Sequence, residues 1–460
     1  MSTIPKNDTN NNAILKCCTK FFNRFHLGKL LKMCNASKEK GIPTSTVFSF
    51  LLGMIFSERN LYNLIKHEPE KVPFGKDVVY RFLNSMKINW ERFLFAVATA
   101  VLPEIQKLTS EERKNVLIID DSPYSRNRSK KVELLSKCYD HVTHKYYKGF
   151  ALLTLGWSDG QTFLPLKFSL VGSKVEKNRY EESHVSDKRT LAYKRRQSAL
   201  TEKPALLLRM LKEVKGTAAQ AQYVLFDSWF STPSAIVNIK QLGYDVVARL
   251  KNLNTFQYLY SGEKLPISKI YSRNRKRRGM SKYLLSVMVD VSNKENQTVA
   301  AKIVYIRDRN NSKKWIALIT TDCSLSEEEV IELYGKRWEI EPFFKMSKSY
   351  LHLSKEFQSR SYDAMTAHTT VVFVRYILLA LENRENKDER SICDIFFVLC
   401  KELDDISFNY AFELIQSTMI QSVISYLNLR EEQIEDFLKY FIAQLPAYIK
   451  DKLTLTVCES

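Results

Sequence analysis

The residues with the clearest chemical potential lie in one short segment, Tyr334–Lys348. It carries a tyrosine, an arginine, a glutamate and a lysine at successive spacings of three, four and seven: Tyr334, Arg337, Glu341 and Lys348. On a helix, at about 100° per residue, the four side chains fall within an arc of roughly 60°. One carboxylate then shares a helix face with two cations. This pattern is typical of a metal-binding acid flanked by phosphate-binding bases.

Further acids follow two short apolar runs. Asp120 and Asp121 come after Val116–Ile119, and Asp227 comes after Tyr223–Phe226. Both runs predict buried strands that end at the acids. If the strands are parallel neighbours, the acids lie side by side, since ligands gather at the carboxyl ends of strands in α/β sheets. The alternative, more common for either site alone, is a turn acid that caps the next element.

Carboxylates held this close repel each other unless a proton or a divalent cation separates them. Mg²⁺ is a hard ion that prefers oxygen ligands. A pair of these ions can activate a water and stabilise the leaving oxygen of a phosphodiester. We therefore expect Asp120 or Asp121, Asp227 and Glu341 to be the catalytic and metal-binding acids. The alternative for Glu341 is an exposed helix face with ordinary charge pairs.

Two neighbours of these acids add to the prediction. Trp229 and Trp338 each lie within three positions of a candidate acid. A tryptophan ring there can stack on a displaced base. The alternative, which is more common for tryptophan, is burial in the core. Pro342 directly follows Glu341 and disfavours helical geometry there, which predicts a kink at the glutamate itself.

The charge of the chain indicates a polyanionic partner. Lys and Arg number 70 against 51 Asp and Glu, a net charge of +19. Basic residues cluster at 188–189, 194–196 and 273–278, and these clusters are candidate contacts with a nucleic-acid backbone. Solvated loop charges are an equally good explanation for each cluster. In the last cluster the residues expected to bind DNA are Lys276, Arg277 and Arg278.

Several classes of function are disfavoured. The eight cysteines form no Cys-x-x-Cys pair and have no histidine at zinc-ligand spacing. The sequence also lacks a phosphate loop, a dinucleotide fingerprint and a Gly-x-Ser-x-Gly elbow. The best apolar runs, 47–56 and 371–381, are too short to span a bilayer, and Arg375 interrupts the second. We expect no membrane association and a cytoplasmic, nucleoid-associated protein of bacterial type.

The order of elements predicts an α/β fold. A strand, a hairpin joined by Asp159-Gly160, a helix, a strand, a helix and a strand follow one another, which predicts a mixed sheet with helices packed on it. Five regions are expected: a disordered tail (1–12), a helical DNA-binding domain (13–112), a catalytic domain (113–251 and 325–380), a β-rich insertion (252–324) and a helical C-terminal region (381–460).

The chain resembles a known family at these positions. Tyr334–Lys348 is similar to the Tyr-(2)-Arg-(3)-Glu-(6)-Lys signature of the insertion-sequence-four family of DDE transposases. Asp120-Asp121-Ser and Phe226-Asp227-Ser-Trp-Phe look like the first and second aspartate motifs of that family. The resemblance covers roughly residues 113–380 and includes the β-rich insertion.

The resemblance implies an RNase H-like catalytic domain whose acids bind two Mg²⁺ or Mn²⁺ ions. Similar enzymes cut double-stranded DNA at terminal inverted repeats, form and reopen a hairpin, and join the 3′ end to target DNA. They act as a synaptic complex, which implies a homodimer. Arg337 and Lys348 are expected to hold phosphates, Tyr334 to support them, and Trp338 to handle a flipped base.

Some alternatives remain open at the level of sequence. The family pattern favours Asp120 as the first acid, with Ser122 in the hydroxyl position, but some relatives would make it Asp121. A transposase-derived DNA-binding protein without catalysis is a second hypothesis, and an RNase H-like nuclease that never joins strands is a third.

Overall fold

The computed structural model of the protein describes residues 16–57, 61–67, 69, 72–109, 113–140, 143–277, 281–308, 311–357, 359–385, 433, 436–437 and 440. The predicted tail over 1–12 and all but the start of the predicted C-terminal region, 381–460, therefore lie outside the part of the chain discussed below, apart from four isolated positions.

The helices of the described residues are α1 (Lys16–Arg24), α2 (Leu27–Met33), α3 (Thr44–Met54), α4 (Leu61–His67), α5 (Lys76–Leu83), α6 (Trp90–Lys107), α7 (Leu191–Ala199), α8 (Lys203–Val214), α9 (Pro233–Gln241), α10 (Ile267–Arg273), α11 (Glu327–Gly335), α12 (Ile340–Ser349) and α13 (Tyr362–Glu385). Short 3₁₀ turns cover Ile55–Ser57, Glu176–Asn178 and Lys336–Glu339.

The strands are β1 (Val116–Ser125), β2 (Ser136–Asp140), β3 (Lys145–Ser158), β4 (Phe163–Val171), β5 (Tyr223–Phe226), β6 (Asp245–Arg249), β7 (Tyr258–Tyr260), β8 (Glu263–Leu265), β9 (Leu285–Ser292), β10 (Thr298–Asp308) and β11 (Asn311–Thr320). They form one sheet in the order β2-β3-β1-β5-β6-β11-β10-β9-β7-β8, with β4 paired to β3.

The central part of the sheet has the predicted RNase H-like arrangement. β4, β3 and β1 are antiparallel neighbours, and β5 and β6 follow β1 in parallel. Helices flank this sheet: α6 and α13 pack on β4, α12 on β1, α8 on β3 and α9 on β6. The predicted hairpin between β3 and β4 is present, and Gly160 has the positive φ of 90° that its turn requires. The α/β prediction is confirmed.

The first strand is longer than the sequence predicts. β1 does not end at Ile119 but continues through the two acids to Ser125. Its parallel pairing with β5 stops at Ile118 opposite Leu225, whereas its antiparallel pairing with β3 continues to Ser125 opposite Gly149. The backbone hydrogen bonds to β3 keep this extension straight where local sequence indicates a turn.

The β-rich region after β6 extends the main sheet. β11 pairs antiparallel with β6, with Leu318 opposite Arg249 and Thr320 opposite Val247. β10, β9, β7 and β8 then add outward from β11. Strands β7–β11 thus fall within the predicted insertion, and its independence as a domain stays a prediction.

The N-terminal helices share their core with the sheet. α6 packs on both β4 and α13, and α3 and α5 also pack on α13. α13 is long and apolar enough to cross a membrane by length and composition, yet its apolar stretch is entirely buried inside the protein. Arg375 on α13 is buried, donates hydrogen bonds to the carbonyls of Leu51 and Leu52 near the end of α3, and forms an ion pair with Glu356. The role of residues 13–112 in binding DNA stays a prediction.

A buried ion network joins α7 to α13. Arg195 and Arg196 were expected to be DNA contacts or solvated loop charges, and both expectations are wrong because the two side chains are buried. Arg196 donates to Glu133 at 2.5 and 2.7 Å and to Asp363 at 2.7 Å. Arg195 also pairs with Asp363 and donates to the carbonyl of Ile88 at 2.6 Å. These contacts tie α7, the loop before β2, the segment before α6 and α13 together.

The network gives a stability prediction. Asp363→Asn removes the charge that both arginines share, and breaking a buried ion pair costs about 3 to 5 kcal/mol. We expect a clear fall in the midpoint of urea unfolding. The matched control is Asp187→Asn, which removes an exposed pair with Arg189 and should leave the midpoint unchanged. Equal midpoints for the two variants would show that the network contributes nothing to stability.

Candidate active site

A single large cleft collects the candidate acids. Its volume is about 1280 Å³, and its lining includes the acids Asp120, Asp121, Asp227 and Glu341. β1 supplies the first two acids, the end of β5 the third and α12 the fourth. The rest of the lining includes residues of β6, β10, β11 and α11, so both the RNase H-like sheet and the β-rich region border the cleft.

The register of β1 and β5 places two acids side by side. Asp120 and Asp227 each lie two positions beyond the last parallel pair, Ile118 and Leu225. Burial raises the pKa of the Asp120 carboxyl to about 7, and the negative charge of Asp227 contributes to the rise. Burial raises the pKa of Asp227 as well, although its Oδ1 accepts a hydrogen bond from the Trp229 N–H at 2.9 Å. The two carboxylates therefore repel each other in a poorly solvated place.

One guanidinium bridges two of the acids. Arg337 donates from Nη1 to Asp120 Oδ2 at 3.1 Å and from Nη2 to Glu341 Oε1 at 3.3 Å. Its side chain is buried, whereas the Glu341 carboxylate is about half exposed. The predicted proximity of Arg337, Glu341 and the first aspartate is thus present in the structure.

Asp121 has a different partner. Asp121 lines the same cleft as Asp120, but its side chain contacts α8. Asp121 accepts a hydrogen bond from Lys203 Nζ at 2.7 Å, and the same ammonium lies 4.3 Å from the centre of the Trp229 ring. Lys203 was missed at the sequence level, since a lone lysine at the start of α8 carries no local signal for a partner so far along the chain.

The signature segment is not one helix. α11 opens with a capping box at Ser326 and ends at Gly335. A 3₁₀ turn then covers Lys336–Glu339 before α12 begins at Ile340. The expected kink at Glu341 is wrong, because the break lies upstream of it. Pro342 falls in the first turn of α12, where a helix does not need the missing N–H.

Arg337 and Tyr334 remain close to each other across this break, and Lys348 contacts β1. The Arg337 guanidinium lies 5.8 Å from the centre of the Tyr334 ring. Lys348, at the end of α12, donates a short hydrogen bond to Ser122 Oγ on β1. Burial lowers the pKa of this ammonium. Lys348 therefore ties α12 to the strand that carries Asp120.

Both tryptophans near the acids line the cleft. Trp338 is 55% exposed, and the Arg337 guanidinium lies 4.5 Å from the centre of its ring. Trp229 is half-buried and packs edge-on against Phe230. The alternative of a buried tryptophan is therefore wrong for Trp338.

The cations of the β-rich region fall into two groups. Lys276 lies over the Tyr271 ring at 4.6 Å and Arg277 over the Tyr283 ring at 4.2 Å, while Arg278 lies outside the described residues. Three further cations, missed at the sequence level, line the same cleft as the acids: Arg249 at the end of β6, and Lys282 and Arg307 in the β-rich region. All three lie outside the basic clusters at 188–189, 194–196 and 273–278.

The acids suit a divalent cation by their chemistry. Among the residues that the structure describes, no three Asp, Glu, His or Cys side chains are already grouped as a metal site. The donors are nevertheless hard carboxylate oxygens, and two of them repel each other in a buried place where a cation relieves the repulsion. Asp120, Asp227 and Glu341 therefore fit Mg²⁺ or Mn²⁺.

Comparisons with known proteins give the family. Among solved structures, one similar chain is the piggyBac transposase in a cryo-EM structure of its synaptic complex with hairpin DNA; identity is 13%, the match covers 87% of this chain and 82% of that one, and the TM-score is 0.41. No curated protein matches the chain. Residues 52–313 match the family described as DDE superfamily endonuclease, a range that contains Asp120 and Asp227 and stops before Glu341. That match covers more than half of the chain, which therefore belongs to the DDE superfamily endonuclease family.

Proposed function

We propose that this protein is a DNA transposase of an insertion sequence, which cleaves double-stranded DNA at the terminal inverted repeats of its own element and joins the freed 3′ end to target DNA. The observation that carries the proposal is the meeting of Asp120, Asp227 and Glu341 in one cleft. Membership of the DDE endonuclease family supports the nuclease part. The net charge of +19 supports DNA as the partner.

We assign the three acids to metal binding. Endonucleases of this family generally depend on divalent metals. Asp120, Asp227 and Glu341 would hold Mg²⁺, with Mn²⁺ as a substitute. Bound there, the metal would activate the attacking oxygen and stabilise the leaving 3′ oxygen of the scissile phosphodiester.

Asp121 has a positioning role in this scheme. We propose that its ion pair with Lys203 holds the start of α8 beside Trp229. The contact of Asp120 with Arg337 supports Asp120 as the first catalytic acid.

The cations and rings of the signature take the remaining roles. Arg337 lies between two acids and is placed to add positive charge where a phosphate enters. Tyr334 packs against its guanidinium, and Lys348 holds α12 on β1 through Ser122. We propose that the exposed Trp338 ring stacks on a flipped base.

The finer steps rest on the resemblance of Tyr334–Lys348 to the insertion-sequence-four signature. We propose cut-and-paste transposition through a hairpin at the excised end, carried out by a homodimer that brings two ends together. Lys276, Arg277 and Arg278 are proposed as DNA contacts of the β-rich insertion. An inactive DNA-binding protein and a nuclease without strand transfer are the competing functions.

Cleavage of a labelled duplex that carries the terminal sequence flanking this gene tests the function. We expect wild-type protein to nick it at the repeat boundary only with Mg²⁺ or Mn²⁺, and Glu341→Gln to bind it without nicking, because the amide loses the charge that holds the metal. The matched control is Glu263→Gln, which removes an exposed pair with Arg273 on the β-rich region and should cleave normally.

The same assay separates the competing functions. Binding without cleavage by wild-type protein would identify an inactive DNA binder. Cleavage without any joined product on a target plasmid would identify a nuclease that does not transfer strands. Normal cleavage by Glu341→Gln would remove Glu341 from the mechanism.

A second experiment distinguishes the two neighbouring aspartates. Asp120→Asn should abolish cleavage, because Asp120 lies beside Asp227 and Arg337. Asp121→Asn should retain measurable cleavage, since it loses the ion pair with Lys203 but not the contact between Asp120 and Arg337. Single-turnover rates with Mn²⁺ give the comparison, with binding of the same duplex as the control for folding. The reverse ranking of the two rates would assign the first acid to Asp121.

A further inference from the structure

The hairpin of β2 and β3 carries an exposed face that the catalytic roles leave unused. Tyr139 lies opposite Tyr146, and Lys137 lies opposite Lys148. Because alternate residues of a strand share a face, these four side chains form one patch, which we call the tyrosine–lysine face. Two aromatic rings and two cations therefore lie together near the edge of the sheet.

The rings of this face are turned to solvent. Tyr146 is 66% exposed and Tyr139 is 40% exposed, and their ring centres are 5.1 Å apart. The Lys137 ammonium lies 4.3 Å from the centre of the Tyr146 ring. Lys148 lies 4.7 Å from the ring of a further exposed tyrosine, Tyr180. Each lysine thus places its positive charge beside the ring of an exposed tyrosine.

The tyrosine–lysine face is continuous with the active-site cleft. Tyr139 lines the cleft, as do its neighbour Asp140 and, from the other side of the hairpin, Tyr147. A strand of nucleic acid that leaves the cleft past Tyr139 therefore meets Tyr146 and the two lysines next.

We propose that the tyrosine–lysine face binds an unpaired stretch of DNA that leaves the active-site cleft, with Tyr139 and Tyr146 stacking on bases and Lys137 and Lys148 contacting phosphates. This inference rests on the proposed function, since it assumes a DNA substrate in the cleft. Exposed rings interleaved with cations are what proteins use to bind single strands without reading their sequence.

The chemistry of the face favours this occupant over others. Lysine is depleted in the cores of protein interfaces, because burying its ammonium is costly, so a face in which two of the four side chains are lysines disfavours a protein partner. A ring can stack only on a base whose face is free. An intact duplex offers such a base only at its ends, so the tyrosines favour a strand that is already separated.

Binding without metal tests the inference apart from cleavage. Two DNAs are compared by fluorescence anisotropy: a blunt duplex of the terminal repeat, and the same duplex with a single-stranded flank. We expect Tyr139→Ala/Tyr146→Ala to lose affinity for the flanked DNA by about tenfold or more, since each stacked base contributes about 1 to 3 kcal/mol. Affinity for the blunt duplex should stay within about twofold.

Matched variants separate stacking from other effects. Tyr139→Phe/Tyr146→Phe keeps the rings and should bind both DNAs like wild type. Lys137→Gln/Lys148→Gln should lower the slope of log affinity against log salt by about 0.7 for each lysine on the flanked DNA.

The possible results test the inference and the proposed function separately. Equal loss on both DNAs, or no loss on the flanked DNA, by Tyr139→Ala/Tyr146→Ala would overturn the inference and leave the proposed function intact. Failure of wild-type protein to bind either DNA would contradict the proposed function itself. Selective loss on the flanked DNA, with recovery in the phenylalanine variant, would establish the tyrosine–lysine face.

Discussion

The parallel register of β1 and β5 is the constraint on which the site depends, because it sets Asp120 and Asp227 at the same height. The two carboxylates do not attract each other. The strands that carry them stay together because Val116–Ile119 and Tyr223–Phe226 are buried on both faces of the sheet. The burial of these apolar residues therefore keeps the two carboxylates close together despite their repulsion. Arg337 offsets part of that repulsion. The pair of acids therefore favours a cation bound beside it.

The break between α11 and α12 completes the site. In the 3₁₀ turn, Arg337 points inward to the acids while its neighbour Trp338 stays exposed at the cleft. After the turn, α12 packs on β1, where Lys348 reaches Ser122. Arg337, Trp338 and Glu341 thus lie within five residues at this junction.

Local patterns were sufficient for much of this structure. Apolar runs marked β1 and β5, Asp159-Gly160 marked a hairpin, and the spacing of Arg337 and Glu341 marked a contact that exists. What failed depends on distant partners. β1 passes its expected turn because β3 pairs with it, and the burial of Arg196 needs Glu133 and Asp363. No window of sequence contains both halves of such an interaction, so periodicity and propensity cannot find it.

The buried ion network also has a consequence for how this chain can change over generations. Replacing only one of Glu133, Arg195, Arg196 and Asp363 leaves an unpaired charge in a buried place, whereas replacing all four with apolar residues that fill the same space can be nearly neutral. We therefore expect substitutions at these four positions to be accepted together and rejected one by one. Among diverged homologues the network should be found whole or missing, with intermediate combinations scarce.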